Sequence, residues 1–116
     1  MLDAQIAKAH ADRNEVPQLC RMLLEGEVVI IAEWADAAGT TLRIQDFQLQ
    51  GRSFIPLFSD DAQFIQQMAN TPFAEKGLAI DCKELIRRLH GDELLILNPG
   101  TDQQVQFDKE DFEPFL

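Results

Sequence analysis

The chain has 116 residues, 46% of them hydrophobic and 26% charged, which is typical of one globular domain with a single core. The formal net charge of -10 makes this an acidic protein. Such a charge disfavours proteins that neutralise nucleic-acid phosphates or adhere to an anionic membrane surface. We therefore expect no nucleic-acid partner and no membrane partner.

The cysteines and histidines do not have the spacing of metal ligands. Cys20 and Cys82 are far apart in sequence and form no CxxC pair, and His10 and His90 are the only other soft ligands. We expect no metal site and no cofactor. The N-terminal residues lack the basic and apolar regions of a signal peptide, and no run approaches the roughly 20 apolar residues of a membrane span. The expected compartment is the cytoplasm.

The first third of the chain predicts two helices and a strand. Apolar residues at helical spacing predict helices over residues 2–13 and 15–25, with Pro17 tolerated in the first turn of the second helix and Gly26 ending it. The continuous apolar and β-branched run Val28–Ile31 predicts a strand buried on both faces, so something must cover the sheet on each side or in part.

The next segment alternates between apolar and polar residues, but its phase slips. Leu42 and Ile44 share one face of an extended chain, whereas Phe47 and Leu49 share the other. A regular strand cannot bury both pairs on one side, because successive side chains point to opposite faces. We therefore predict a bulge or break near Gln45–Asp46.

An apolar segment up to Phe58 is followed by a helix start. Ser59 can accept a hydrogen bond from a free N–H of the first turn, and two acids follow it, which favours the positive end of a helix over residues 60–69. Pro56 lacks an N–H and should lie at a sheet edge or where a ladder bond is missing. The helix is predicted to bury Phe64, Ile65 and Met68.

The second half predicts a strand at Gly77–Ile80 and a helix that opens with a capping box, Asp81 and Glu84. A strand follows at Leu94–Leu97. Next comes a turn in which Pro99 holds Asn98 extended and Gly100 suits type II geometry. An antiparallel return at 105–107 and a last helical turn at the C-terminus complete the order. This order indicates an α+β domain, with one mixed sheet of about five or six strands and helices packed on it.

Four segments in this order resemble the N-terminal domain of the SseB family, named for an enhanced serine sensitivity phenotype. They are Cys20–Leu24, Val28–Ile31, Ile55–Ser59 with its acidic helix start, and Leu95–Gly100. The resemblance spans about residues 15 to 112. It implies a bacterial-type α+β domain of poorly defined biochemical function, with no catalytic residue set to carry over. Longer members have a second, C-terminal domain, and we expect residues 1–116 to form a single domain without it.

Two groups of residues are candidates for binding another protein on the helical and strand surfaces. Lys83, Arg87 and Arg88 form a basic stripe on a predicted helix, which could dock an acidic partner or simply be a solvated face with one Glu84–Arg88 ion pair. Trp34 stands at a strand end, where its ring either contacts a partner or caps the core.

Two further candidates lie towards the C-terminus. Phe112, Phe115 and Leu116 either pack on the sheet or mark a place where another chain docks. Asn98 and Gly100 belong to a loop that could display amides as an anion nest, although a hairpin connection already explains it.

We expect a non-catalytic cytoplasmic interaction or regulatory module that binds another protein or a second copy of itself. No residue is assigned a catalytic role, because the acid pairs lie at predicted helix starts and turns, where water would solvate them. The alternative is a small-ligand-binding domain or an enzyme with a pocket near the Asn98–Asp102 loop, framed by Phe54–Ser59.

Overall fold

The structure is a computed structural model that describes all residues from 1 to 116. Its α-helices are α1 (Leu2–Ala11), α2 (Val16–Leu23), α3 (Asp61–Met68) and α4 (Cys82–Arg88). Its strands are β1 (Glu27–Trp34), β2 (Leu42–Ile44), β3 (Phe47–Leu49), β4 (Arg52–Leu57), β5 (Gly77–Asp81), β6 (Leu94–Leu97) and β7 (Val105–Asp108). Short 3-10 turns lie at Arg13–Glu15, Lys109–Asp111 and Glu113–Phe115. None of the helices combines the length and the apolar character needed to cross a bilayer.

The strands form two sheets, which confirms the α+β class. One sheet has the order β2-β1-β5 and the other the order β3-β4-β6-β7, so the strands number seven and are divided between two sheets. Neighbouring strands are antiparallel except β4 and β6, which are parallel. An antiparallel bridge between Val29 and Phe58, with two backbone hydrogen bonds of 2.9 Å, joins the sheets.

The predicted break at Gln45–Asp46 is confirmed, and the structure gives its reason. Before the break β2 pairs with β1, and after it β3 pairs with β4. The chain therefore changes sheets at these two residues, which is why the apolar phase slips there. The next strand, β4, contains Pro56. Only Arg52–Phe54 of β4 pair with β3, and Pro56 lies beyond this paired segment.

Strand β1 is covered on both faces, as its β-branched run predicts. All four residues of Val28–Ile31 are buried. The first and third of them belong to the main core, which α1, α2, α4, β4, β6 and β7 also build. The second and fourth pack in a smaller cluster with Phe58 and with Phe64 of α3. Three helices thus cover one side and α3 covers the other.

The start of α3 differs from the prediction by one residue. Asp60, not Ser59, is the N-cap, and its Oδ1 accepts a hydrogen bond of 2.8 Å from the Gln63 N–H. The helix buries Phe64, but Ile65 is 61% exposed, so its predicted burial is wrong. Phe64 and Met68 are four residues apart and share one side of the helix, whereas Ile65 lies about 100° around the axis from Phe64 and faces solvent.

The start of α4 agrees with the predicted cap but not with the complete capping box. The Asp81 carboxylate accepts a hydrogen bond of 3.2 Å from the Glu84 N–H. The Glu84 carboxylate does not return to the cap; it accepts a hydrogen bond of 2.9 Å from Arg88 Nε. The reciprocal half of the box is therefore replaced by an i,i+4 ion pair.

Ser59 is buried and forms hydrogen bonds with Asn98, which is buried as well. The predicted extended conformation of Asn98 is wrong, because its φ is 49°. The Ser59 N–H donates to Asn98 Oδ1 at 3.1 Å, and Asn98 Nδ2 donates to Ser59 Oγ at 3.2 Å. We call this the Ser59–Asn98 pair. The type II turn that follows has the expected geometry, since Gly100 has a φ of 79° and the Thr101 N–H bonds to Asn98 O.

Candidate functional site

The structure brings two of the candidate binding groups together at the end of β1. Trp34 is 43% exposed, and the guanidinium carbon of Arg88 lies 5.4 Å from the centroid of its ring. This distance is within the range of a cation–π contact. Residues proposed separately as an aromatic contact and as part of a basic stripe therefore form one surface.

Arg88 is held in place from two sides. Its Nε donates to Glu84 Oε1 at 2.9 Å, and its Nη1 lies 3.5 Å from the backbone oxygen of Thr40. Lys83 and Arg87 are exposed on the neighbouring stripe of α4, and neither takes part in an ion pair within the chain. We call Trp34, Lys83, Arg87 and Arg88 the Trp34 surface.

An open groove of about 460 Å³ adjoins the Trp34 surface at Arg88, which lines the groove together with Thr40. His90 and Glu93 form another part of its wall. Partial burial would raise the pKa of Glu93, but hydrogen bonds from the His90 and Gly91 N–H groups to its carboxylate outweigh this effect and lower the pKa. The Glu93 carboxylate therefore orders the turn after α4.

The C-terminal tail packs on the domain. Phe112 is fully buried, with its ring centroid 5.2 Å from that of Phe107. Phe115 is half-buried, and the guanidinium of Arg21 lies 5.3 Å from its ring centroid. Only Leu116, at 47% exposure, presents a large apolar surface. Of the two predicted alternatives for the tail, the structure shows the packed one, and Phe112 is a core residue rather than a contact residue.

The Asn98–Asp102 loop does not present the proposed anion nest. Asn98 is 1% exposed, the Gly100 N–H donates to Gln104 Oε1 at 2.8 Å, and the Thr101 N–H bonds to Asn98 O. The amides of the nest are therefore already paired. Three surface clefts, of about 130, 430 and 460 Å³, are lined by other parts of the chain and by no residue of this loop.

The two thiols are protonated core groups. Cys20 and Cys82 are buried, and burial raises the pKa of each to about 12. A thiolate nucleophile is thus disfavoured at both positions. No group of three or more His, Cys, Asp and Glu side chains is placed to hold a metal ion.

The sequence profile of the family described as SseB protein N-terminal domain matches residues 2–113. The chain belongs to this family. No curated protein and no solved structure gave a significant match. The match covers all four segments on which the resemblance was based, and the structure shows how two of them meet. The Ser59–Asn98 pair links the end of Ile55–Ser59 to the end of the strand in Leu95–Gly100.

Sequence reasoning found the members of the Trp34 surface but missed its central contact. The spacing of Glu84 and Arg88 signals their ion pair, since residues four apart on a helix are neighbours. Nothing in the sequence signals that the same guanidinium covers Trp34, because the contact joins α4 to the end of β1. The groove with Thr40, His90 and Glu93 was missed for the same reason.

Proposed function

We propose that this domain is a non-catalytic, cytoplasmic interaction module of a bacterial-type protein, and that it binds another protein through the Trp34 surface. The observation that carries the proposal is the half-exposed Trp34 ring beneath an arginine that is itself held by Glu84. Trp and Arg are the residues most often found at the energetic centres of protein interfaces.

The contacts favour binding because they are ordered in advance. A tryptophan ring offers a large contact area for two rotatable bonds, and the Glu84–Arg88 ion pair already restricts the arginine. Lys83 and Arg87 add two cations without partners in the chain. The complementary partner carries an apolar side chain to cover the ring and carboxylates to meet the lysine and arginine.

The alternative of a ligand site at the Asn98–Asp102 loop has less support, because hydrogen bonds within the chain occupy the amides of that loop. Two of the aspartates also have structural roles. Asp60 and Asp81 cap α3 and α4. Carboxylates in such positions are anions that stabilise helix starts, which is a different role from general acid–base catalysis.

The test is a capture experiment with matched variants. The domain is immobilised, and the proteins retained from a bacterial lysate are quantified by mass spectrometry for the unaltered domain, for Trp34→Ala and for Lys83→Glu with Arg87→Glu. Leu49→Ala is the control, because Leu49 is also 43% exposed but lies on β3 in the other sheet. We expect a specific set of proteins to be lost with the first two variants and kept with the control.

A purified partner is then titrated while Trp34 emission is recorded. Trp34 is the only tryptophan, and the chain has no tyrosine, so emission reports directly on this surface. Binding should shift the emission to shorter wavelength as the partner excludes water from the ring. Partners that are retained by Trp34→Ala and by the charge-reversed variant, or that leave the emission unchanged, would show that the proposed surface is wrong.

A further inference from the structure

One outer edge of the four-stranded sheet is covered by side chains. At β7, His10 Nδ1 lies 2.7 Å from the backbone oxygen of Gln104, and Arg13 Nη1 donates to that of Gln106 at 2.6 Å. The last strand residue, Asp108, donates its N–H to a carboxylate three residues later. Covering the free backbone groups of an edge strand prevents another strand from pairing with it.

The outer edge of β5 is not covered in this way. Beyond the two ends of the strand, the Ala32 N–H bonds to Lys76 O and the Cys82 N–H bonds to Gly26 O. Because hydrogen-bonded residues alternate along an antiparallel pair, the even-numbered residues from 76 to 82 bond to β1. The odd-numbered residues of β5 therefore direct their backbone groups away from the sheet.

These outward residues are Gly77, Ala79 and Asp81, and all three are exposed. No side chain bonds to a backbone group of Gly77 or Ala79, and no proline or lysine interrupts the strand. The two edges therefore differ. Side chains of α1 and of the turn after α1 pair with the outward backbone groups of β7, whereas the outward groups of the five-residue strand β5 are free to pair with another strand.

We propose that a second copy of this chain pairs with β5, with the two β5 strands antiparallel about a two-fold axis at Ala79. In this register Ala79 faces Ala79 of the second copy, and Gly77 faces Asp81. All three outward residues of each copy then find a partner. Gly77 has no side chain and Ala79 has only a methyl group, so no bulky group hinders the approach of the second strand.

The flanking charges favour this occupant and this register. Glu75 lies in the turn just before β5, and Lys83 lies in the first turn of α4 just after it. The antiparallel arrangement therefore brings the Glu75 end of one copy beside the Lys83 end of the second, and the two-fold axis repeats this contact. Both residues are exposed, and neither takes part in an ion pair within the chain. A shift of the register by two residues would instead bring Glu75 towards Asp81 of the second copy, and like charges that face each other are destabilising.

The size of the edge determines how strong the dimer is. One short strand with its flanks is small compared with the roughly 1,200–2,000 Å² that stable interfaces bury. In addition, each copy carries a formal net charge of -10. We therefore expect reversible dimerisation that increases from micromolar to millimolar protein, with long-range repulsion screened at physiological ionic strength.

The experiment is sedimentation equilibrium of the purified chain, combined with amide hydrogen exchange at low and high protein concentration. As the dimer forms, exchange at the Gly77 and Ala79 N–H groups should slow, because only the second copy can bond to them. The N–H groups of Leu78 and Ile80 already bond to β1 and should change little. A chain that stays monomeric throughout, or a dimer in which Gly77 and Ala79 exchange freely, would overturn the proposal.

Charge variants test the register. Glu75→Lys should weaken dimerisation by bringing two lysines together at each end of the paired strands, and combining it with Lys83→Glu should restore it. Glu110→Lys is the matched control, because it makes the same charge change at an exposed position outside β5. Absence of rescue by the double variant, with its melting temperature unchanged, would exclude this register. Lys83 belongs to the Trp34 surface, whereas Gly77, Ala79 and Glu75 lie outside it. The single variant Glu75→Lys and the exchange of the Gly77 and Ala79 N–H groups therefore separate this inference from the proposed function.

Discussion

Replacing Asn98 tests how strongly one buried amide holds this domain together. Its side chain accepts a hydrogen bond from the Ser59 N–H and donates one to the Ser59 hydroxyl, between residues 39 positions apart. Its backbone has a φ of 49°, a conformation that asparagine tolerates better than most residues. Asn98→Ala removes both advantages, whereas Asn98→Gly removes only the hydrogen bonds.

The expected losses follow from these contacts. A buried N–H left without a partner costs about 1–3 kcal/mol, and alanine in the left-handed region adds roughly 1–2 kcal/mol. Asn98→Ala should therefore lower the free energy of unfolding by about 2–5 kcal/mol, and Asn98→Gly by about 1–3 kcal/mol. Ser59→Ala loses one neutral hydrogen bond and should cost about 0.5–1.5 kcal/mol.

Urea unfolding followed by far-UV circular dichroism measures these values. The variant that combines Ser59→Ala with Asn98→Gly should lose less than the sum of the single variants, with a coupling of about 0.5–1.5 kcal/mol, because both remove the same hydrogen bond. Strict additivity, or an Asn98→Gly variant as stable as the original chain, would refute the structural role assigned to this pair.

Four further outcomes are expected. Asp60→Ala should lower stability by about 0.5–2 kcal/mol through loss of the α3 cap, and Asp61→Ala, which removes no cap, should lower it less in the same urea experiment. Gly77→Ala should lower the free energy of unfolding by about 1–3 kcal/mol, because the added Cβ would lie 2.7 Å from the Phe64 ring. Gly26→Ala, where the added Cβ has open space, should not show this loss in thermal melts at low protein concentration. Gly100→Val should unfold at lower urea than Gly100→Asn, because a φ of 79° strains a β-branched residue more. The pKa of Glu93 is lowered in the folded state. The stability that the Glu93 carboxylate contributes is therefore present above the pKa that this group has in the unfolded chain, and it is lost as the pH falls through the pKa of the folded state. Glu93→Gln should flatten the acid side of the curve of stability against pH.

Several elements were predictable because their signals are local. The strand Leu94–Leu97 has the predicted bounds, and the buried run Val28–Ile31 forms the centre of β1. The break at Gln45–Asp46 follows from the phase of the alternation alone. The cap of α3 was misplaced because Ser59 and Asp60 are both good N-caps, and a contact with the distant Asn98 decides between them.

The sequence by itself determined the α+β class, the order of the elements and the family, because helix and strand periodicity and turn residues act over a few positions. The tertiary structure decided which surfaces remain available. It placed Arg88 over Trp34, buried Phe112, and covered the edge of β7 with side chains of α1 and of the turn after it while leaving β5 open. These outcomes depend on the path of the chain and the pairing of strands, which bring together residues that no local pattern relates.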